Sequence, residues 1–503
     1  VAAEGVHHQG RAVALALSAL ALVALEGCAS HSERTAPVRS ALDVGDPRGA
    51  IALLDKEMEV QTPEQLPKDM SSDNALFVLD RGSIQQSVAS FDRSKADFEA
   101  ADKAVDMLDL AHDAKDTIGT YVFSGSSGKY QAPPYEKLLV NTLDMINYLE
   151  QRDLNGARVE ARRLAVMQKY ISDDLKEKDN AVLGLGGFLA GFTFEKSDNY
   201  DEALRWYDQA LPFTGFRSLQ GPIRDLLPKS SYRSPRLQQL EGGVDPSVPY
   251  TPPSNVGGIP DDEDAQDHGG EADGPPSDAS ADTGAPPATP APPPTSADPN
   301  GGDIIFVVGY GRVPHKIAHR IPIGLALTWM SGALAPGNVA AANRLAAQGL
   351  VTWINYPTLG RERGTYAIPA ALLDGKYVQL EEAVNVTEQV RWEWKKIEGK
   401  IIVSAITRMI SRLAIGTVAG AIAGQKNGLV GMLVSLGAQA TLTALDTPDT
   451  RSWETLPARV AIARVHVPAG QHTVHLDARG VRRDVTVDVD KGGWSVVSLM
   501  ALR

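Results

Sequence analysis

Between Leu237 and Gly311 the chain carries no lysine or arginine, and thirteen carboxylates crowd the same interval. Fourteen of the 32 prolines fall within Glu241–Gly302, among Gly, Ala, Ser and Asp, with hardly any large apolar side chain. Such a segment cannot bury enough apolar surface to offset the entropy of ordering, and is expected to be disordered. The chain is therefore read as an α+β multidomain protein with two folded bodies, residues 28–240 and 303–503, on either side of a disordered acidic Pro-rich linker, 241–302. The acidic run Asp261–Asp267 lacks the glycine and the terminal glutamate of a calcium loop, so it reads as solvated charge.

The whole chain has 49 basic and 62 acidic residues, a net charge of −13. That excess sits in the lysine-free and arginine-free interval, which leaves the flanks together neutral and argues against a nucleic-acid partner. A single cysteine, Cys28, excludes an internal disulfide. Both bodies must hold together by burial.

Cys28 closes an unusual stretch. Arg11 precedes fourteen apolar or small residues, Ala12–Leu25, followed by Glu26-Gly27-Cys28. This is shorter than the roughly 20 residues of a spanning helix and suits a secretory signal, residues 1–27, with a small-residue cleavage site. Leu25 and Gly27 resemble the lipobox of bacterial lipoproteins, with Cys28 as the lipid-attachment residue; Glu26 departs from that pattern. The resemblance implies a mature chain that begins at Cys28 and is anchored in a membrane. Ser30 is not the aspartate associated with inner-membrane retention, which by analogy implies the periplasmic face of the outer membrane.

Downstream, Ser32–Glu59 is expected to be helical with a break at Gly45-Asp46-Pro47, and Asn74 to about Thr117 carries a helical stripe through Phe91, Phe98 and Val105. Pro134–Leu164 reads as helix, short turn, helix. Tyr148, Ala157 and Ala161 fall at the offsets where a tetratricopeptide repeat sets a bulky residue on its first helix and small ones on its second. The pattern returns with Gly191 and Phe194 on a first helix, then Tyr200, Ala203, Tyr207 and Ala210 on a second. Ala157 and Ala203 are 46 apart rather than 34, so the array is irregular. About three repeats are needed for stability, and segments near Ala50 and Ala96 are expected to supply degenerate copies.

The C-terminal body is expected to be β-rich. Ile304–Val308 and Leu350–Tyr356 read as buried strands with Lys316–Leu327 extended between them, and residues 458–503 as antiparallel strands at Val460–Val467, His472–Leu476, Val481–Val489 and Trp494–Leu502. A Gly-rich helical hairpin, residues 397–445, is inserted. Its Gly416, Gly420, Gly424 and Gly428 form a four-residue glycine zipper that allows close helix approach, with Gln425-Lys426-Asn427 as the turn.

Pro134–Leu164 (PYEKLLVNTLDMINYLEQRDLNGARVEARRL), Gly302–Ile323 (GDIIFVVGYGRVPHKIAHRIPI) and Asp449–Thr473 (DTRSWETLPARVAIARVHVPAGQHT), taken with the lipobox, resemble a family of bacterial lipoproteins with degenerate tetratricopeptide repeats. The family has no assigned reaction. The resemblance implies an envelope lipoprotein and supplies no catalytic residues.

Motifs for chemistry fail on inspection. Gly309-Tyr310-Gly311 follows a strand, but Pro314 breaks the dinucleotide fingerprint, and Phe123–Tyr130 lacks the residues of a phosphate loop. His466, His472 and His475 cluster in sequence, yet His472 and His475 point to opposite faces of a strand, which argues against a metal site. No catalytic residue, metal or cofactor is assigned, and the chain is read as not an enzyme. The expectation is a tethered repeat scaffold for envelope proteins, its C-terminal module held away on the linker. The alternative is a membrane-associated or homo-oligomerising component of an envelope assembly or conduit, built on the glycine zipper.

Overall fold

The computed structural model describes residues 29–71, 73–104, 130, 132–173, 180–213, 217–241, 300–322, 353–362, 366–423 and 448–503. The signal stretch with Leu25, Gly27 and Cys28, nearly all of the linker, and Gly424 and Gly428 lie outside these residues.

The N-terminal part is helical: α1 (His31–Arg34), α2 (Ala36–Asp43), α3 (Pro47–Glu57), α4 (Asn74–Ser87), α5 (Phe91–Ala104), α6 (Pro134–Glu150), α7 (Leu154–Asp173), α8 (Val182–Glu195), α9 (Tyr200–Ala210), α10 (Arg217–Leu226) and α11 (Pro235–Glu241). Four pairs, α2–α3, α4–α5, α6–α7 and α8–α9, turn in the same way. Each first helix ends on a left-handed residue: Gly45 at φ 82°, Ala89 at 57°, Arg152 at 58° and Asp198 at 57°. In each, the N–H of the next residue reaches back five positions. Asp46 bonds Ala41 O at 2.8 Å, Ser90 bonds Gln85 O at 2.9 Å, Asp153 bonds Tyr148 O at 2.8 Å and Asn199 bonds Phe194 O at 3.0 Å. This is the Schellman closure, which satisfies the last carbonyls of a helix. The residue that closes one helix starts the next, and Asp46, Asp153 and Asn199 cap it by accepting from Gly49, Gly156 and Glu202 N–H. Three of the four left-handed positions are not glycine, a conformation that costs such residues energy. The single helical stripe expected from Asn74 is thus two helices, and its break at Ala89-Ser90 carries no glycine to announce it.

Among the described residues the C-terminal part contains ten strands and one long helix, α12 (Val386–Ala423). Strands β1 (Gly302–Tyr310), β2 (Lys316–Pro322), β3 (Trp353–Leu359), β4 (Ala370–Leu373), β5 (Lys376–Val378) and β6 (Glu381–Asn385) precede α12; β7 (Arg459–Val467), β8 (Gly470–Ala478), β9 (Val481–Val489) and β10 (Trp494–Ala501) follow it. They form a mixed sheet ordered β10-β1-β7-β6, an antiparallel sheet ordered β5-β4-β8-β9, and a β2–β3 ribbon. In the mixed sheet β1 runs parallel to β10 and antiparallel to β7. The expected strands appear close to their expected limits, but β10, expected to be antiparallel like its neighbours in sequence, pairs with β1 alone and in parallel; β4, β5 and β6 were not foreseen.

Strand β1 explains the layering. Its residues are buried throughout, but successive side chains point to opposite faces. Ile304, Phe306, Val308 and Tyr310 join one core with Val474, Leu476, Val497 and Leu499, between the two four-stranded sheets. Ile305 and Val307 join the other core, together with Val460, Ile462, Val496 and Met500 and the helical array. The molecule is therefore stacked as helices, mixed sheet and antiparallel sheet. This overturns the expectation that the C-terminal part is held away from the array. The linker joins two parts that share one hydrophobic core.

The glycine-rich segment enters this picture through α12, which runs unbroken to Ala423 and carries Gly416 and Gly420. The proposed turn at Gln425-Lys426-Asn427 lies outside the described residues.

Candidate functional site

The two helices of a pair differ in how far they are covered. The first helices are enclosed. Twelve of the 14 residues of α4, 14 of the 17 of α6 and 13 of the 14 of α8 are buried. Their partner α7 buries only six of 20, along one stripe. The difference comes from the C-terminal part: α4 and α6 pack on β10, and α8 on β6.

Two glycine–aromatic contacts organise this seam. A Cβ on Gly82 would lie 2.7 Å from the Phe98 ring, and one on Gly191 would lie 2.4 Å from the Tyr207 ring. In both pairs the glycine is on the first helix and the ring on the second, with the same sequence offset. Each ring then supports the sheet side. Phe98 meets Trp453 edge-on at 5.6 Å. Trp453 is fully buried, donates from Nε1 to Ser83 Oγ at 3.0 Å, and donates its backbone N–H to Glu136 Oε1 at 3.1 Å. Tyr207 donates its hydroxyl to Glu195 Oε2 at 2.7 Å, and the same oxygen accepts from Arg464 of β7 at 2.7 Å. Arg464 also bonds Asp303 of β1 at 2.8 Å.

The charges at the seam are tuned by these contacts. Burial works against ionised Asp303, but Arg464 and Lys196 hold its carboxyl far below the usual range. Glu195 is also lowered against burial, chiefly by Arg464. Asp80 on α4 is different. Burial, reinforced by Glu454, pushes its carboxyl up to about 7. Its Oδ1 accepts from Thr455 N–H at 3.0 Å and Thr455 Oγ1 at 2.8 Å, while Oδ2 has no partner. The two bonds from Thr455 favour the ionised form, and burial outweighs them. Nearby, His31 Nδ1 lies 3.3 Å from Asp73 Oδ2. Burial opposes its protonation, but Asp73 and the charge of Glu454 hold it above its ordinary value.

The residues singled out in sequence fall into three groups. Ala157, Ala161, Ala203 and Ala210 are fully buried between helices, Phe194 is nearly so, and Tyr207 and Gly191 form the contact above. Tyr148 stands over Gly156, where a Cβ would meet its ring at 2.0 Å, and Tyr200 opens α9 and donates to Asp198. The three histidines do not converge: His466 faces Asp303, His472 Asp374 and His475 Asp484. Among the described residues no group of His, Cys, Asp or Glu is placed to hold a metal ion. Trp453, Asp80, Glu195 and Arg464 were not singled out, because their partners lie hundreds of residues away. The one available signal was the pair Gly82 and Phe98, spaced as Gly191 and Tyr207 are.

Compared with known proteins, the chain matches no family model, no curated sequence and no solved structure.

Proposed function

We propose that the protein is a non-enzymatic, lipid-anchored component of a bacterial cell envelope, in which a TPR-type helical array acts as an interaction scaffold. The observation that carries this reading is the fourfold repetition of one turn, with Gly82–Phe98 and Gly191–Tyr207 as equivalent contacts. Repeat arrays of helix pairs present extended surfaces to partner chains. In this array the first-helix face carries the chain's own mixed sheet and the Trp453 loop, so partners are expected on the second-helix side, where Val159 and Val166 of α7 are exposed.

The lipid anchor is read from Leu25, Gly27 and Cys28. The helical frame starts close behind them, since Ser30 caps α1 and its N–H bonds Glu33 Oε2 at 2.7 Å. An array so close to Cys28 would lie against the membrane surface. Among the described residues no helix is long and apolar enough to cross a membrane. Crosslinking of the wild-type protein in its own envelope tests the reading. Specific envelope-protein adducts, with loss of the protein from the membrane fraction in Cys28→Ala, are expected. Membrane retention of Cys28→Ala, or the absence of any specific adduct, contradicts it.

The alternative, self-association through the glycine zipper, draws support from α12. Gly416 and Gly420 share one continuous helix of 38 residues, about 57 Å long at 1.5 Å per residue. Unchanged assembly of Gly420→Leu in sedimentation would remove that reading.

A further inference from the structure

At one end of the seam five arginines from separate parts of the chain converge on a partly open cleft of about 50 Å³. A single water needs about 10–15 Å³, so the cleft has room for a small polyatomic ion. Arg39 comes from α2, Arg312 from the link after β1, Arg361 from the stretch after β3, Arg479 from the β8–β9 turn, and Arg503 from the C-terminal residues. Two of them are neutralised in place: Arg39 pairs with Glu454 and Arg312 with Asp43. The other three have no Asp or Glu side-chain partner among the described residues: Arg479 Nε donates to the main-chain oxygen of Arg503 at 2.6 Å, Arg503 Nε donates to Asp43 O at 3.2 Å, and all three residues are exposed. Arg479 is nonetheless held in position, its guanidinium 4.8 Å from the centre of the Tyr366 ring.

Five guanidinia from different elements face two carboxylate side chains, Asp43 and Glu454, in the lining of this cleft. A carboxylate would cancel one charge and accept from one direction. A phosphate carries up to two charges, and its tetrahedral oxygens accept from several forks at once. We propose that this cleft binds a phosphate-class oxyanion. Its position suggests a source. Arg39 donates to Ser32 O at 2.6 Å, and Ser32 lies four residues after Cys28, within about 14 Å of extended chain. If Cys28 carries lipid, the cleft reaches the headgroup layer. Phosphate binding itself does not depend on that reading; only the lipid source does.

The test uses the full chain carrying Cys28→Ala, so that an anchor cannot mimic binding. Inorganic phosphate is titrated by calorimetry, and cosedimentation is measured with phosphatidylglycerol against phosphatidylcholine vesicles. Saturable binding to phosphate or selective binding to phosphatidylglycerol is expected, weakened about tenfold or more by Arg361→Glu and by Arg479→Gln. The probe that binds identifies the source. Arg361 is exposed and has no carboxylate partner among the described residues, so its substitution is expected to leave the fold intact, which circular dichroism checks. Absence of saturable binding to both probes, or binding that both variants retain, overturns the proposal.

Discussion

Trp453 Nε1 donates to Ser83 Oγ at 3.0 Å across 370 positions of sequence. The bond joins the loop before β7 to the middle of α4, and the indole also meets Phe98, the ring that fills the space over Gly82. The internal packing of the array and its attachment to the sheet are thus one set of contacts.

Trp453→Ala removes a fully buried indole and leaves Ser83 without its donor. A loss of about 3–5 kcal/mol is expected. Helical and sheet signals should weaken together in chemical denaturation followed by circular dichroism. A loss confined to the sheet would contradict the shared core.

Gly191→Ala should destabilise by about 1–3 kcal/mol, because the new Cβ would meet the Tyr207 ring at 2.4 Å. Alanine is otherwise the better helix former. Gly399 in α12 has nothing within 4 Å of the same position, so Gly399→Ala should stabilise by about 0.5–1 kcal/mol. Opposite signs in urea midpoints are the diagnostic result.

Arg464→Met leaves buried Glu195 and Asp303 to share the single ammonium of Lys196, with Tyr207 and His466 as their remaining hydrogen-bond partners. Breaking such a pair costs about 3–5 kcal/mol. Adding Glu195→Gln should recover part of that loss, since Asp303 keeps Lys196 as its partner and no buried carboxylate is then left unpaired. Thermal melts of the single and double variants decide.

Asp80 sets a pH dependence. Its carboxyl is raised from an ordinary value of 3.8 to about 7, so the folded state binds the proton more tightly than the unfolded chain. That contribution is complete below about pH 4 and is lost as pH rises through about 7. His31, also raised, adds a loss in the same direction above its ordinary 6.5. Asp80→Asn keeps an acceptor for Thr455 and should flatten the fall in stability between pH 5 and pH 8. A wild-type protein equally stable at both values would contradict the assignment.

Much of the architecture is legible in the chain because it follows local periods. The alternation in Val460–Val467 and Val481–Val489 marks β7 and β9, and the Gly191–Ala210 pattern marks the α8–α9 pair. Strands β4 to β6 are three to five residues long and show no sustained alternation. The break between α4 and α5 rests on Ala89 in a left-handed conformation, which neighbouring packing imposes and composition does not reveal. The composition of the acidic linker points to two separate halves, whereas the apolar odd-numbered face of β1, Ile305 and Val307, is covered by the helices. In sequence that face is indistinguishable from one side of an isolated sandwich. The seam residues Asp80, Glu195 and Arg464 gain their roles only across long separations, and so do the arginines of the cleft.

Differential scanning calorimetry of the full chain tests the shared core most directly. A single transition is predicted, with calorimetric and van't Hoff enthalpies in agreement. Two separable transitions, one helical and one sheet-rich, would contradict it.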